Sequence, residues 1–359
     1  MRVVIKIGTN VIINSAGRLD TARLLELTAD IAAVRKEGYE VAIVASGAVG
    51  AGQVLMPELN SRTQRKVLAA IGQPALMQNY FQHFQKQGLA VGQCLLSRYD
   101  FSDRELYNNL VKILEDFFKT GVIPIINEND VFAPESLNFG DNDSLSAMLA
   151  IGIKADLLLL LTNQPGLLTE DPRKNNQAQL ISVVTRVDKE IERMCSKTTS
   201  SLGQGGMISK VKAARQAVFA GITTFIADGR KPSIIKNILN GQLVGTRFIA
   251  CNDRNMTDQK RWLMAAKGFG QLLVDPGAAK ALRAGKSLLF PGILGIKGYF
   301  EPGSIVEVIS EGQIVSYGKI NYSDKELSVA LAEKKKSPES FKPFSKEVIH
   351  CDYMIVLKS

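Results

Sequence analysis

Short apolar, β-rich runs of strand length recur down the chain and alternate with stretches in which apolar residues return every three or four positions. The first run is Arg-Val-Val-Ile-Lys-Ile at 2–7, followed by Glu40–Ala45, Val91–Leu96, Val122–Ile126, Asp156–Leu161 and Ile222–Ala227. The runs at 122–126 and 156–161 are continuously apolar, as in strands buried on both faces. Between the runs, Leu24, Leu25, Ile31 and Val34 keep helical spacing and Gly38 closes that helix. A long helical stretch is expected from about Thr63, interrupted at Pro74. Ser102 and Glu105 form a capping box for a helix ending near Gly121, and another helix starts near Met207. Parallel strands need long crossovers, and crossover helices cover the sheet. The expected fold is α/β, an open, mostly parallel sheet with helices on both faces.

That pattern stops near residue 265. Gly-Pro pairs and short strands take over at Gly270–Val274, Ser287–Leu289, Ser304–Ile309 and Gln313–Tyr317. The division expected is 1–250 for the α/β domain, a polar linker at 251–264, and a small β-rich domain at 265–359. Residues 265–359 hold 13 Lys/Arg against 10 Asp/Glu, so the net charge of +9 is not a concentrated basic block. Nucleotide phosphates fit this balance at least as well as nucleic acid does. Lys334-Lys335-Lys336 reads as a solvated loop or helix face. No apolar run approaches the roughly 18 residues of a membrane span. The start of the chain runs straight into a strand rather than an export signal, and Cys94, Cys195, Cys251 and Cys351 are far apart, so reduced thiols and a cytoplasmic location are expected. Two histidines, His83 and His350, cannot build a His-rich metal site, and metal ligands stay unassigned.

Ligands of an open α/β sheet bind beyond the carboxyl ends of its strands. The polar motifs of this chain fall there: Lys6-Ile7-Gly8-Thr9-Asn10, Ser46-Gly47-Ala48-Val49-Gly50, Asn127-Glu128-Asn129-Asp130, Gly140-Asp141-Asn142-Asp143, Thr162-Asn163, and Gly203-Gln204-Gly205-Gly206-Met207-Ile208-Ser209-Lys210 before a helix. The Gly-rich turns let backbone N–H groups approach phosphate, although neither is a Walker or GxGxxG loop. Lys6 sits inside a strand expected to be buried, where an ammonium needs an anion. Lys210 on a second loop completes a pair able to neutralise a transferring phosphoryl group. Asn127, Asp130, Asp141, Asn142 and Asp143 can do the opposite work: amides to a carboxylate, Asp130 to a substrate ammonium, the other aspartates to the lysines or Mg²⁺.

In this order the motifs resemble those of the amino-acid kinase family. Val274-Asp275-Pro276-Gly277-Ala278-Ala279 and Leu288-Leu289-Phe290-Pro291-Gly292-Ile293 are similar to a PUA domain, which points to the branch of the family that acts on glutamate. The resemblance implies transfer of the ATP γ-phosphate to the γ-carboxylate of L-glutamate, the first step of proline synthesis. It also implies Mg²⁺, a cytoplasmic homo-oligomer and inhibition by proline. By motif position, Lys6, Lys210, Asp143 and Asp141 are the catalytic group. Ser46, Gly47, Asn127, Asp130 and Asn142 fall on glutamate positions. Lys6, Thr162, Asn163, Gln204, Gly205, Gly206, Met207, Ile208, Ser209 and Lys210 fall on the nucleotide side. Asn163 stands where the family usually has Asp, and Gln204 where it usually has Thr. Two other readings stay open: a different carboxylate kinase, and an RNA-binding protein acting through the PUA-like domain.

Overall fold

The computed structural model describes residues 1–14, 16–59, 61, 64–132, 141–173, 175–195, 206–251, 256–266, 270–336 and 344–357. Thr63, Gly140, Gly203, Gln204 and Gly205 lie outside them. Contacts divide the chain into two units, Met1–Arg98 with Asn108–Arg254, and Tyr99–Tyr107 with Asn255–Ser359.

In the first unit, β1 (Arg2–Ile7), β2 (Glu40–Val44), β3 (Val91–Leu96), β4 (Ile123–Glu128), β5 (Leu157–Thr162), β6 (Val183–Val184), β7 (Thr223–Asp228) and β8 (Thr246–Phe248) form one eight-stranded sheet. Its order is β3-β4-β2-β1-β5-β7-β8-β6, and all neighbours are parallel except β7 and β8. The chain leaves β1 toward β2 on one side and returns through β5 on the other. The strand order thus reverses about β1, and that is where such sheets open a crevice.

Val3, Ile5 and Ile7 alternate with Val4 and Lys6, so the two sets face opposite sides of the sheet. The first set joins a core with Ile43, Ile125 and Leu159 and with Leu24, Leu27 and Ile31 of α2 (Thr21–Lys36), Leu76, Tyr80 and Phe84 of α4 (Gln64–Lys86), and Ile234, Ile235 and Ile238 of α10 (Ile234–Leu239). Over the other face, α7 (Asn142–Gly152) packs on β1 and β5, and α9 (Met207–Phe219) packs on β5 and α7. Lys6 therefore points toward the start of two helices.

Pro74 does not interrupt its helix. α4 runs through it from Gln64 to Lys86. Its packing against the sheet and against α3 (Ala48–Leu55) offsets the one backbone bond a proline removes. The cap before α6 (Arg104–Thr120) is also not the one expected: Asp103 accepts from the amides of Glu105 and Leu106, while the Ser102 hydroxyl turns back to the Tyr99 carbonyl.

The second unit has its own sheet, β10-β9-β11-β12-β13, from β9 (Gly270–Val274), β10 (Ile293–Lys297), β11 (Ile305–Ser310), β12 (Gln313–Ile320) and β13 (Ile349–Val356). Leu272, Val274, Leu282, Phe290, Val306, Val308 and Ile349 belong to its separate core. Two expectations are corrected. Ser287–Leu289 is not a strand, since only Leu288 makes an isolated bridge, to Ile349. The expected linker contains the helix α11 (Asp258–Ala265), whose Trp262 is buried with its indole N–H on the Phe101 carbonyl at 3.1 Å. The polar run from Cys251 to Asp258 suggested a linker, but the residues after it, Trp262, Leu263 and Met264 among them, are buried. Lys334-Lys335-Lys336 ends the helix Asp324–Lys336, the second of the two readings, and the Lys334 ammonium bonds the Pro291 carbonyl at 2.9 Å and lies over the Phe290 ring.

Candidate active site

Three groups of side chains meet at the strand ends of the first unit. The first is built on Asp143. Asp141 extends into the turn before α7 and caps the helix by accepting from the Ser144 amide at 2.7 Å. This starts the helix so that Asp143, in its first turn, points inward and is 0% exposed. Lys6 reaches one carboxylate oxygen at 2.7 Å and Lys210 the other at 3.1 Å. The Ser209 hydroxyl donates to that second oxygen at 2.6 Å. Ser209 and Lys210 sit in the first turn of α9, which follows the extended Gly206, with Met207 and Ile208 half-buried beside it.

Two buried ammoniums thus share one carboxylate. Burial alone would raise the pKa of Asp143, but Lys6 and Lys210 overcome it and hold the group well below the usual carboxylate range. Burial lowers the Lys6 pKa; Asp143 opposes this and Lys210 adds to it. Burial and the negative Asp143 raise the pKa of Asp141. The cluster holds more positive charge than Asp143 can satisfy, and an anion would relieve it. Of the two aspartates expected to order the lysines, Asp143 makes the contacts and Asp141 caps the helix.

The second group is a line of amides. Asn142 Nδ2 lies 2.6 Å from the Ala45 carbonyl, 3.0 Å from Ser46 Oγ and 2.8 Å from Asn127 Oδ1. Asn127 Nδ2 donates to Gln73 Oε1 at 2.7 Å. Gly47 follows Ser46 with φ of 106° and starts α3, a left-handed position that glycine adopts without strain. The amide nitrogen of Asn142, expected to bond a substrate carboxylate, is occupied inside the protein instead; its carbonyl oxygen is the buried group without a partner. Asp130 lies just beyond β4, its pKa raised by burial against the pull of Arg65 and Lys66.

The third group is on the β5–β7 side. Thr162 pairs in register with Asp228 and is buried. Arg230 grips the Asp228 carboxylate at 2.8 Å and donates to the Asn163 carbonyl at 2.9 Å. Burial would raise the Asp228 pKa, and the Arg230 hydrogen bonds bring it below its ordinary value. Gln204 and Gly205 lie outside the described residues.

Sequence reasoning missed Gln73, Asp228 and Arg230. Asp228 ends a strand directly before Gly229, so the strand-end rule that found the other motifs would have found it. No local pattern marks Gln73. Among the described residues, no group of three metal-type side chains lies at this site. Asp143 has one oxygen against the Lys6 ammonium and the other against Lys210 and Ser209, which leaves it no place as a metal ligand.

Two family models match the chain: the amino acid kinase family over residues 1–228 and the PUA domain over 270–340. The first spans more than half of the sequence. The chain belongs to the amino acid kinase family. The glutamate 5-kinase of Photobacterium profundum is 40% identical over 365 residues, spanning 99% of this chain and 96% of that protein. The glutamate 5-kinase of Deinococcus radiodurans is 40% identical over 364 residues, spanning 99% and 100%. Among solved structures, the carbamate kinase of Giardia lamblia bound to AMP-PNP superposes with a TM-score of 0.52 at 20% identity, over 70% of this chain and 98% of that one. That likeness is one of fold: the family's parallel sheet is the first unit described above.

Proposed function

We propose that this amino acid kinase transfers the γ-phosphoryl group of MgATP to the side-chain carboxylate of L-glutamate, as a cytoplasmic enzyme of proline synthesis. The full-length relatives support glutamate as substrate. The observation that carries the reaction class is the pair of buried ammoniums, Lys6 and Lys210, on the single carboxylate of Asp143.

A glutamate side chain has a pKa near 4.3 and is already ionised at neutral pH, so the nucleophile needs no base. Its oxygen attacks the γ-phosphorus, a P–O bond forms, the bond to ADP breaks, and the products are L-glutamyl 5-phosphate and ADP. Charge must be neutralised on the phosphoryl oxygens while the two anions approach, and positioned cations are the main device for this. Lys6 and Lys210 have that role, and Asp143 holds both ammoniums in place. Gly206, at the cap of α9, and Met207, Ile208 and Ser209 in its first turn meet the phosphates, and Gln204 and Gly205 keep the nucleotide role that the resemblance implies. Thr162 and Asn163 line the nucleotide side, beside the Asp228–Arg230 pair. Ser46, Gly47, Asn127, Asp130 and Asn142 hold glutamate, with Asp130 facing its ammonium. A homo-oligomer and feedback inhibition by proline belong to the same reading through the glutamate 5-kinase relatives, and nucleic acid has no part in it.

Hydroxylamine trapping of the acyl phosphate tests the reading. Glutamate is expected to give a hydroxamate with ATP-Mg. If only N-acetylglutamate, aspartate or carbamate supports turnover, the substrate is wrong. Lys210→Ala is expected to lower kcat by about 10²–10³. Its far-UV circular dichroism should stay unchanged because Lys6 still neutralises Asp143. Unchanged turnover would remove Lys210 from the mechanism.

A further inference from the structure

Amide side chains can be placed either way round, but the line Gln73–Asn127–Asn142 has only one orientation. Asn142 Nδ2 faces the Ala45 carbonyl, which can only accept. The backbone N–H of Glu128 donates to Asn127 Oδ1 at 2.9 Å and can only donate. Asn127 must therefore turn Nδ2 toward Gln73, and Gln73 must answer with Oε1. Two backbone groups fix three side chains.

The consequence is a pair of leftover groups. At one end, Gln73 Nε2 is buried with no acceptor; at the other, Asn142 Oδ1 is buried with no donor. A buried donor without an acceptor is costly, because it has given up water and gained nothing in return. A leucine or methionine at position 73 would avoid that cost if only packing mattered. The chain keeps the orphan because Oε1 has to face Asn127. The line has a further effect at Ser46. Asn142 Nδ2 has two protons and gives them to the nearer acceptors, the Ala45 carbonyl at 2.6 Å and Asn127 Oδ1 at 2.8 Å, so Ser46 Oγ at 3.0 Å keeps its own proton for another partner. The amide line thus presents an acceptor at Asn142 and a donor at Ser46, two complementary groups 96 positions apart in the chain.

We infer that Gln73 is a positioning residue of the amino-acid subsite: the Ala45 carbonyl and the Glu128 amide fix which way the amides face, and Gln73, by accepting from Asn127, locks that side chain and through it Asn142 in place, with the Asn142 carbonyl toward the substrate ammonium and the Ser46 hydroxyl left for a substrate carboxylate. The inference rests on the glutamate reading above. The geometry also explains how a residue in the middle of α4 reaches the site. A Cβ on Gly72 would stand 1.9 Å from the Ala48 carbonyl oxygen and 2.3 Å from the Gly52 nitrogen, so the backbones of α4 and α3 touch there. That contact sets Gln73 beside the strand end from which Asn127 projects.

The test compares Gln73→Met, which removes the acceptor, with Gln73→Glu, which keeps it, using glutamate and glutarate. Glutarate has both carboxylates and no ammonium. A site built to bond a substrate N–H rejects the analogue that lacks it, because its own acceptor is then left unpaired. Wild type is expected to prefer glutamate in kcat/KM by about 10² or more. In Gln73→Met that preference should fall about tenfold or more, through a higher KM for glutamate, with KM for ATP changed less than about threefold. Gln73→Glu should keep the larger part of the preference. A preference unchanged within twofold in a folded Gln73→Met, or Gln73→Glu behaving like Gln73→Met, overturns the inference. No turnover of glutamate by the wild type would instead overturn the reading on which it rests.

Discussion

Burial holds the Lys6 ammonium below its ordinary pKa, with Asp143 pulling it up and Lys210 pushing it down. The phosphoryl group needs the protonated form. As pH rises through the lowered value the ammonium is lost, so kcat/KM for ATP should fall at a pH below the ordinary lysine value of about 10.4. Bound nucleotide adds negative charge and raises the Lys6 pKa again, which should move the limb upward in the profile of kcat. In Lys6→Arg the guanidinium does not titrate in this range, and whatever activity remains should lose the limb. Retention of the same limb in that variant would assign it to another group. Asp143 shows the opposite sign: its lowered pKa gives stability that is complete above about pH 4 and is lost as pH falls through the folded-state value. At this scale the chain told much: a lysine among Val3, Val4, Ile5 and Ile7 is a burial problem visible without coordinates. It did not tell which aspartate answers that lysine, because Asp141 and Asp143 differ only in which one caps the helix.

The pairing of α3 with α4 is the tightest helix contact near the site. A Cβ at Gly52 would come 2.0 Å from the Leu68 carbonyl oxygen, and one at Gly72 as close to Ala48. Backbone cannot move aside as a side-chain tip can, so Gly72→Ala must separate the helices. Overpacking of this kind costs about 1–3 kcal/mol or more. The expected result is a lower urea midpoint at an unchanged m-value, together with a raised KM for glutamate, since Gln73 moves with the helix. A midpoint equal to that of wild type would show that the two helices can part freely. Helix and strand positions were legible because periodicity and Gly38, Gly121 and the β-rich runs mark them locally. The expected break at Pro74 was wrong because tertiary packing outweighs a local penalty.

For the whole molecule, the two hydrophobic cores and the two family matches divide the chain into an α/β unit and a β-rich unit. Residues 265–359 carry only a small surplus of positive charge, 13 Lys/Arg against 10 Asp/Glu. Strong RNA binding draws on many phosphate contacts and weakens steeply with salt. A structured RNA is therefore expected to show no complex with the full chain at micromolar protein in 150 mM KCl by filter binding. A salt-resistant complex there would revive the RNA-binding reading. No helix among the described residues is long and apolar enough to cross a membrane.

The sequence alone determined the α/β class, the change of architecture near residue 265, and the clustering of polar motifs at strand ends, because each is written in neighbouring residues. Tertiary structure alone decided that Asp143 bridges Lys6 and Lys210, that Asp228 and Arg230 stand beside Thr162 and Asn163, and that Gln73 completes the amide line. Those pairs join residues from 54 to well over 100 positions apart, such as Gln73 with Asn127 and Lys6 with Asp143. A hydrogen bond is a matter of ångströms, and only the order in which the strands lie in the sheet brings those positions together.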